Sequence, residues 1–287
     1  MLLFLFFACN QQEHTTSYLI ELDDFESLSK LKTTKIIDFR KLKDYQEGHV
    51  QNAINIWRSD IEDVTFPYGG MKANKIQLEA LFSRLGIQKD DTLIIYDDKG
   101  LCDAARLWWV LQYYNFKNVK LLNGGLVTLQ NAGISLSKES VRFVPSKFEF
   151  SGISTRFFAS KEQIQNAISN KSLILDTRTE DEFTGKQLKK GAFQAGRIPS
   201  SKLIDWANAI NYNGNKKIKS VAELNKIYGE LTTDKSDTLF VYCHSGVRSA
   251  HTTFVLTQLL NYKHVLNYDG SWTEWSYYKN LPTAKDY

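Results

Sequence analysis

The segment TLFVYCHSGVRSAHTTFVLTQLL, residues Thr238–Leu260, predicts a strand, a short polar loop and an apolar helix in direct succession. The first five residues form a nearly continuous apolar run, which is typical of a strand buried on both faces. The loop begins at Cys243 and ends at Arg248, and the residues between the cysteine and the helix are small, polar or cationic. A strand that leads through a loop into a helix indicates a parallel α/β sheet.

The pattern occurs twice in the chain. Residues 91–126 and 237–272 align without gaps at an offset of 146 residues. Upstream, the apolar run ending at Asp38 corresponds to the run ending at Asp176, and the second copy is longer after its aspartate. So long a repeat period indicates tandem domains rather than a solenoid, and the length of 287 residues fits two domains.

Alternation of short apolar runs with helical spacing predicts an α/β fold in both copies, each a mainly parallel sheet with helices on both faces. The predicted strands are 35–39, 92–96, 119–122, 173–177, 238–242 and 265–268, and the predicted helices are 104–114 and 250–260. We expect a leader at 1–16, a first domain at 17–136, a linker at 137–154 and a second domain at 155–287.

Composition excludes several classes of function. The net charge is +4 and no basic run is interleaved with aromatics, so we expect no nucleic-acid partner. The three cysteines have no CxxC spacing and the five histidines form no cluster with them, so we predict no metal site. We also expect no organic cofactor.

The N-terminus suggests a membrane anchor. Residues Leu2–Ala8 are apolar and the chain then becomes polar, but the run is far shorter than the about 20 residues needed to span a bilayer. Together with Cys9 it resembles a bacterial lipobox, with a bulky Phe7 as a departure. We predict a lipidated Cys9 that tethers a periplasmic or cell-envelope protein. The alternative is an incidental apolar start and a cytoplasmic protein.

The loop after the strand indicates a reactive cysteine. Backbone N–H groups of a strand–loop–helix turn point to a common position, and the helix N-terminus adds a favourable field for an anion. Arg248 supplies a cation, Ser245 a hydroxyl, and Gly246 permits a left-handed turn. Such a setting lowers the pKa of a cysteine and favours the thiolate. The alternative interpretation is a buried structural cysteine.

Two chemistries use a cysteine and an arginine in one loop. Cysteine phosphatases have five residues between them, whereas only four separate Cys243 from Arg248. The shorter loop favours a single sulfur or selenium atom bound to the cysteine over a phosphate group. We call residues 243–248 the cradle loop.

The tandem repeat and the motifs CHSGVRS, EGHVQNA, AGRIPSS, LLNGGL and YDGSWTEWS make the chain resemble the rhodanese family of sulfurtransferases. The resemblance implies two rhodanese-like domains, of which the first is degenerate because Asp97 occupies the position of Cys243. It also implies that Cys243 takes a sulfane sulfur from 3-mercaptopyruvate or thiosulfate and passes the persulfide sulfur to a thiol or cyanide. A cysteine-dependent phosphatase and a non-catalytic binding module remain the alternatives.

The resemblance also predicts the surroundings of Cys243. Asp38 and His49 match a relay that would activate the donor through Ser245. This relay favours 3-mercaptopyruvate slightly over thiosulfate. The alternative is that both residues only hold turns. A position that often carries a substrate-binding arginine holds Glu182 here. The remaining residues expected at the substrate are His244, Gly246, Val247, Lys189, Lys190 and Trp272.

Overall fold

The computed structural model describes residues 18–287 as two sheets of five parallel strands with helices around them. The strand order is β1-β6-β5-β2-β4 in the first sheet and β8-β12-β11-β9-β10 in the second; β3 and β7 pair separately and antiparallel. The strands are β1 Leu19–Ile20, β2 Thr34–Asp38, β3 His49–Val50, β4 Ile54–Asn55, β5 Thr92–Tyr96, β6 Val119–Leu122, β7 Leu136–Ser137, β8 Phe158–Ala159, β9 Leu173–Asp176, β10 Lys202–Leu203, β11 Thr238–Tyr242 and β12 His264–Tyr268.

The helices lie between the strands, as the predicted alternation requires. They are α1 Leu22–Leu28, α2 Leu42–Glu47, α3 Lys75–Arg84, α4 Cys102–Tyr113, α5 Gly125–Asn131, α6 Lys161–Ser169, α7 Glu180–Thr184, α8 Val221–Tyr228, α9 Val247–Phe254 and α10 Ser271–Tyr277. Short 3-10 helices cover Arg58–Ile61 and Trp206–Ala209. None of the helices in residues 18–287 is both long and apolar enough to cross a membrane.

The α/β fold and the duplication are confirmed. The two sheets have the same strand order, and β5 and β11 have bounds that differ by the offset read from the sequence. The predicted helix at 250–260 begins earlier, at Val247, because Gly246 in a left-handed conformation already forms its N-terminal cap. It also ends earlier, since Val255–Leu259 forms a π-helical turn.

The two domains share one hydrophobic core, in which α4 packs against α9. Trp108 of α4 meets Phe254 of α9 edge-on, with ring centroids 4.9 Å apart. An ion pair of 2.6 Å between Arg106 and Asp269, both buried, also joins the domains. Because α4 and α9 each follow the central strand of a sheet, this packing brings the two equivalent loops, 97–101 and 243–246, close to the domain interface.

The chain between β7 and β8 forms no helix or strand. Phe148 and Phe150 of this segment are buried, and their rings lie 5.0 Å and 5.8 Å from the ring of Phe82 in α3. The connection is therefore packed along the first domain, which limits how freely the two domains can move relative to each other.

Candidate active site

A hydroxyl at the start of α10 fixes the backbone of the cradle loop. Ser271 accepts hydrogen bonds from the N–H groups of Cys243 at 3.2 Å and Gly246 at 3.0 Å, and it donates to the carbonyl of Tyr268 at 2.8 Å. Gly246 has a φ of +74°, and a Cβ there would lie 2.6 Å from the carbonyl oxygen of Asp269. The turn therefore requires glycine. Sequence reasoning missed Ser271, which lies 28 residues from Cys243.

The sulfur of Cys243 is surrounded by hydrogen-bond donors. The hydroxyl of Ser249 donates to Sγ at 3.4 Å, and the backbone N–H groups of Ser245 and Ser249 also bond to it. Burial works to raise the pKa of this thiol, but the charge of Arg248 and the hydrogen bonds outweigh it and lower the pKa below its usual value. The geometry thus favours the thiolate that the sequence predicted.

Arg248 is held in place by a carboxylate. Its Nη1 and Nη2 atoms donate to the two carboxylate oxygens of Glu182 at 2.7 Å and 2.8 Å. Burial works to raise the pKa of Glu182, yet the Arg248 fork lowers it to about 2, so the pair stays ionised at neutral pH. At a position where the family resemblance leads one to expect a cation, this chain therefore has the anion that orients Arg248.

The insertion of the second domain lies beside the cradle loop. Lys189 Nζ is 3.9 Å from a Glu182 oxygen, and burial together with Arg248 lowers its pKa. Lys190 contributes its backbone, since its carbonyl accepts from His244 Nε2 at 3.1 Å. Burial and Lys189 lower the pKa of His244 to about 4, so the ring is neutral and holds the insertion rather than supplying charge. The structure thus brings Lys189 to the site by its side chain and Lys190 only by its main chain.

The first domain packs directly on the cradle loop. A Cβ on Gly70 would lie 2.5 Å from the Cβ of Ser245, so only a glycine fits above that serine. Arg106 of α4 donates to the carbonyls of Gly70 at 2.7 Å and Gly246 at 3.4 Å. The site is therefore completed only when both domains are present.

The first domain also contributes a cation that sequence reasoning missed. Arg58 donates from Nε to Asp103 Oδ1 at 2.6 Å, and its Nη2 bonds the same oxygen. Burial works to lower the pKa of Arg58, but nearby negative charges raise it. The largest of these charges in effect is Asp103, followed by Cys102 and Cys243. Arg58 therefore lies close enough to Cys243 for their charges to interact. No motif marks this residue in the sequence.

The equivalent loop of the first domain contains its own anion. The carboxylate of Asp97 accepts N–H bonds from Lys99, Leu101, Asp103 and Ala104 at 2.8–3.0 Å. Burial and Asp103 raise the pKa of Asp97 to about 6, against the lowering effect of these bonds. The first copy thus retains the anion-binding turn and fills it with a carboxylate, whereas the second copy presents a sulfur there.

The hydrogen bonds of the structure do not connect the predicted relay, and Asp38 has other partners. Its carboxylate accepts from Arg40 Nη2 at 2.6 Å and from the Tyr96 hydroxyl at 2.5 Å. The second copy repeats the arrangement, with Asp176 and Arg178 at 2.6 Å. These bonds support the alternative interpretation, in which this aspartate holds the turn after its strand.

His49, the second member of the predicted relay, also has other partners. Its ring stacks on the ring of Tyr45, with the ring centroids 3.7 Å apart. Its Nδ1 lies 2.9 Å from the carbonyl oxygen of Tyr45 and its Nε2 lies 3.1 Å from that of Glu139. Within residues 18–287, no hydrogen bond joins Asp38 or His49 to Ser245. His49 lies at β3 and contacts the connecting segment, so its role is to hold that segment on the first domain.

Two residues expected at the substrate lie in the core instead. Trp272 is 2% exposed, and its Nε1 donates to the carbonyl of Gln194 at 2.9 Å. Its ring covers the guanidinium of Arg178, whose central carbon lies 4.7 Å from the ring centroid. Its backbone N–H bonds the Cys243 carbonyl at 3.0 Å, so it supports the cradle loop and does not line a pocket. The side chain of Val247 is likewise buried in the shared core.

Comparisons with known proteins place the chain in context. The family model described as Rhodanese-like domain matches residues 21–132 and 160–277. A putative thiosulfate sulfurtransferase of Saccharopolyspora erythraea is 35% identical over 83% of this chain and 85% of that protein. The sulfur carrier protein TtuD of Thermus thermophilus is 35% identical over 84% of this chain and 87% of that protein.

Solved structures support the same fold. SseA from Escherichia coli, described with the 3-mercaptopyruvate sulfotransferases, has a TM-score of 0.77 and 24% identity over 90% of this chain and 99% of that one. Tum1 of Saccharomyces cerevisiae has a TM-score of 0.79 and 22% identity over 94% of this chain and 98% of that one. At these identities the likeness shows the fold alone.

Proposed function

This chain belongs to the rhodanese-like family and is a sulfurtransferase, and we propose that it transfers the outer sulfur of thiosulfate through a persulfide on Cys243 to a thiol or cyanide. The observation that carries the proposal is the sulfur of Cys243 at the centre of hydrogen-bond donors from Ser245 and Ser249, beside Arg248. These groups stabilise a thiolate before the transfer and a persulfide anion after it.

The first half of the reaction loads the enzyme. The Cys243 thiolate attacks the outer sulfur of thiosulfate, a new S–S bond forms, and the S–S bond of the donor breaks. Sulfite leaves with that electron pair, and a persulfide anion remains on Cys243. No proton has to move in this step, so a relay through Asp38 and His49 is not needed.

The second half of the reaction removes the sulfur from the enzyme. An acceptor thiolate or cyanide attacks the terminal sulfur, the persulfide S–S bond breaks, and its electrons return to Cys243 as a thiolate. The negative charge stays on a sulfur atom within the same set of N–H donors throughout. Because the cradle loop is already rigid, little reorganisation accompanies either transfer.

Charge around the site supports thiosulfate over 3-mercaptopyruvate. Arg248 and Lys189 of the second domain and Arg58 of the first lie close enough to interact with the charge of Cys243. A donor with two negative charges gains more from such surroundings than a donor with one. The argument from sequence for 3-mercaptopyruvate rested on the loop residues Ser245–Val247 and on the relay, and the hydrogen bonds of Asp38 and His49 do not support the relay.

The test is to incubate the purified protein with either donor and to measure the mass of the peptide that contains Cys243. The thiocyanate formed on adding cyanide is then quantified. We expect one added sulfur on Cys243, more product from thiosulfate, and no transfer by Cys243→Ser. Cys102→Ser is the matched control, because this second buried cysteine should not carry the sulfur. Persulfide formation that survives in Cys243→Ser would contradict the proposal.

We also propose that the protein is held at the cell envelope by a lipid on Cys9. The lipobox-like sequence Phe6–Cys9 supports this, and it lies outside the residues that the structure describes. Expressed in a bacterium with lipoprotein processing, the protein should fractionate with membranes and carry an acyl mass that Cys9→Ala abolishes. Equal distribution of the two proteins in the soluble fraction would refute the anchor.

A further inference from the structure

Arg58 begins the 3-10 helix Arg58–Ile61, which lies beside the first-domain segment that covers the cradle loop. Ile61 accepts from the N–H of Ala73 at 2.7 Å, and Gly70, three residues before Ala73, packs on Ser245. The contacts of Arg58 leave part of its guanidinium unused. Nε and Nη2 both bond one oxygen, Oδ1 of Asp103. Within residues 18–287, Nη1 has no hydrogen-bond acceptor. Since the side chain is about one third exposed, at 31%, the free N–H groups of Nη1 can bind an anion that enters from solvent.

The position of Arg58 is fixed by the degenerate loop. Asp103 is 1% exposed and stands in the first turn of α4, where its backbone N–H bonds the Asp97 carboxylate at 2.8 Å. The same helix packs against α9, whose N-terminal end completes the cradle loop. Arg58 also packs over the ring of Trp57, with the guanidinium carbon 5.3 Å from the ring centroid. Its guanidinium is therefore held rather than free to sample solvent.

The two arginines at the site differ in how they are used. Arg248 uses both Nη atoms, with one hydrogen bond from each to the two oxygens of Glu182. Arg58 meets only one oxygen of Asp103, so it retains donors for another partner. Together with Lys189 there are three cations, and they are matched by the carboxylates of Glu182 and Asp103 and by the Cys243 thiolate. The unused N–H groups of Arg58, rather than an excess of positive charge, therefore attract an incoming anion.

We propose that Arg58 is a donor-binding residue for the sulfur transfer, that its Nη1 binds the sulfonate end of thiosulfate while Cys243 attacks the outer sulfur, and that Asp103 is its positioning residue. This inference rests on the proposed function. It gives the first domain, which has lost the nucleophile, a direct part in substrate recognition.

The test measures persulfide formation on Cys243 in a single turnover at increasing donor concentration. Thiosulfate has two negative charges and benzenethiosulfonate has one. For thiosulfate, Arg58→Gln should raise the half-saturating concentration by about tenfold or more, as expected for the loss of a hydrogen bond between charged groups. For benzenethiosulfonate the increase should stay below about threefold, because Arg58 loses less Coulomb attraction to a single charge. Unloading by cyanide should not change.

Asp103→Asn separates binding from structure. It removes the negative charge but keeps an amide oxygen that still accepts from Arg58 and holds its guanidinium in place. We therefore expect the thiosulfate concentration at half-saturation to stay the same or fall. A merely structural pair would make both variants worse in the same way. Arg84→Gln, an exposed arginine of α3 in the same domain, controls for the change in net charge.

Removal of Arg58 leaves Asp103 buried without its main partner, and this could unfold the domain. The double variant Arg58→Gln/Asp103→Asn removes both charges and should show the same selective loss for thiosulfate. If Arg58→Gln or the double variant, folded by circular dichroism, loads from thiosulfate like Arg84→Gln, the role of Arg58 is refuted while the proposed function stands. If the wild-type protein takes no sulfur from thiosulfate, both are refuted.

Discussion

Replacement of Glu182 by glutamine should destabilise the protein by roughly 3 kcal/mol near neutral pH. Burial alone would raise the pKa of Glu182, but Arg248 and its neighbours lower it from 4.5 to about 2. One unit of pKa corresponds to about 1.4 kcal/mol of differential interaction. Glutamine keeps one acceptor for the fork and leaves the buried Arg248 charge uncompensated, so most of this stabilisation is lost.

The effect depends on pH in a defined direction. Because the folded-state pKa of Glu182 lies below the unfolded value of 4.5, its contribution is fully present above that pH. It declines as the pH falls and disappears near the folded value of about 2. Wild type and Glu182→Gln should therefore differ most near neutral pH and converge in acid.

Urea unfolding followed by tryptophan fluorescence measures this difference. We would compare wild type, Glu182→Gln and Glu180→Gln near neutral pH and near pH 3, after circular dichroism has verified that each protein is folded at that pH. Glu180 is an exposed residue of the same helix, α7, and its variant should stay within about 0.5 kcal/mol of wild type. The reasoning is refuted if Glu182→Gln is as stable as this control near neutral pH, or if its deficit does not shrink in acid.

Three further predictions concern the two loops. Ser271→Ala leaves the N–H groups of Cys243 and Gly246 without their acceptor, so urea unfolding should show a loss of about 2–4 kcal/mol; no measurable loss would contradict the assigned bonds. Ser249→Ala removes a donor to the Cys243 sulfur, so the midpoint of the pH profile for alkylation by iodoacetamide should move upward; an unchanged midpoint would exclude that bond. Asp97→Asn tests the first loop: because burial and Asp103 raise the folded-state pKa to about 6 from 3.8, the wild type loses stability relative to this variant as the pH rises between these values. A constant difference between the two across that range, measured by thermal unfolding, would count against the raised folded-state pKa of Asp97.

The sequence determined the local and repeated features of this protein. The strands at 92–96, 119–122 and 238–242 lie where the apolar runs predicted them, and the offset between the copies recurs in the strand order of both sheets. Cys243 and its cradle loop could also be recognised in the sequence, because a strand, a glycine turn and a helix N-terminus are encoded by residues next to each other. Such features depend on backbone preferences and on side chains within a few positions.

Only the tertiary structure decided which distant residues surround the sulfur. Ser271 is 28 residues from Cys243, and Glu182 is 66 residues from Arg248. Asp38 and His49 had the spacing of a relay, but buried partners of their own hold them elsewhere, and this was invisible in the spacing. Arg58 reaches the site because α4 and α9 pack against each other, and that packing follows from the shape of two buried surfaces. The sequence therefore specified the candidate nucleophile and its anion-binding turn, whereas the packing of the domains selected the charges around it.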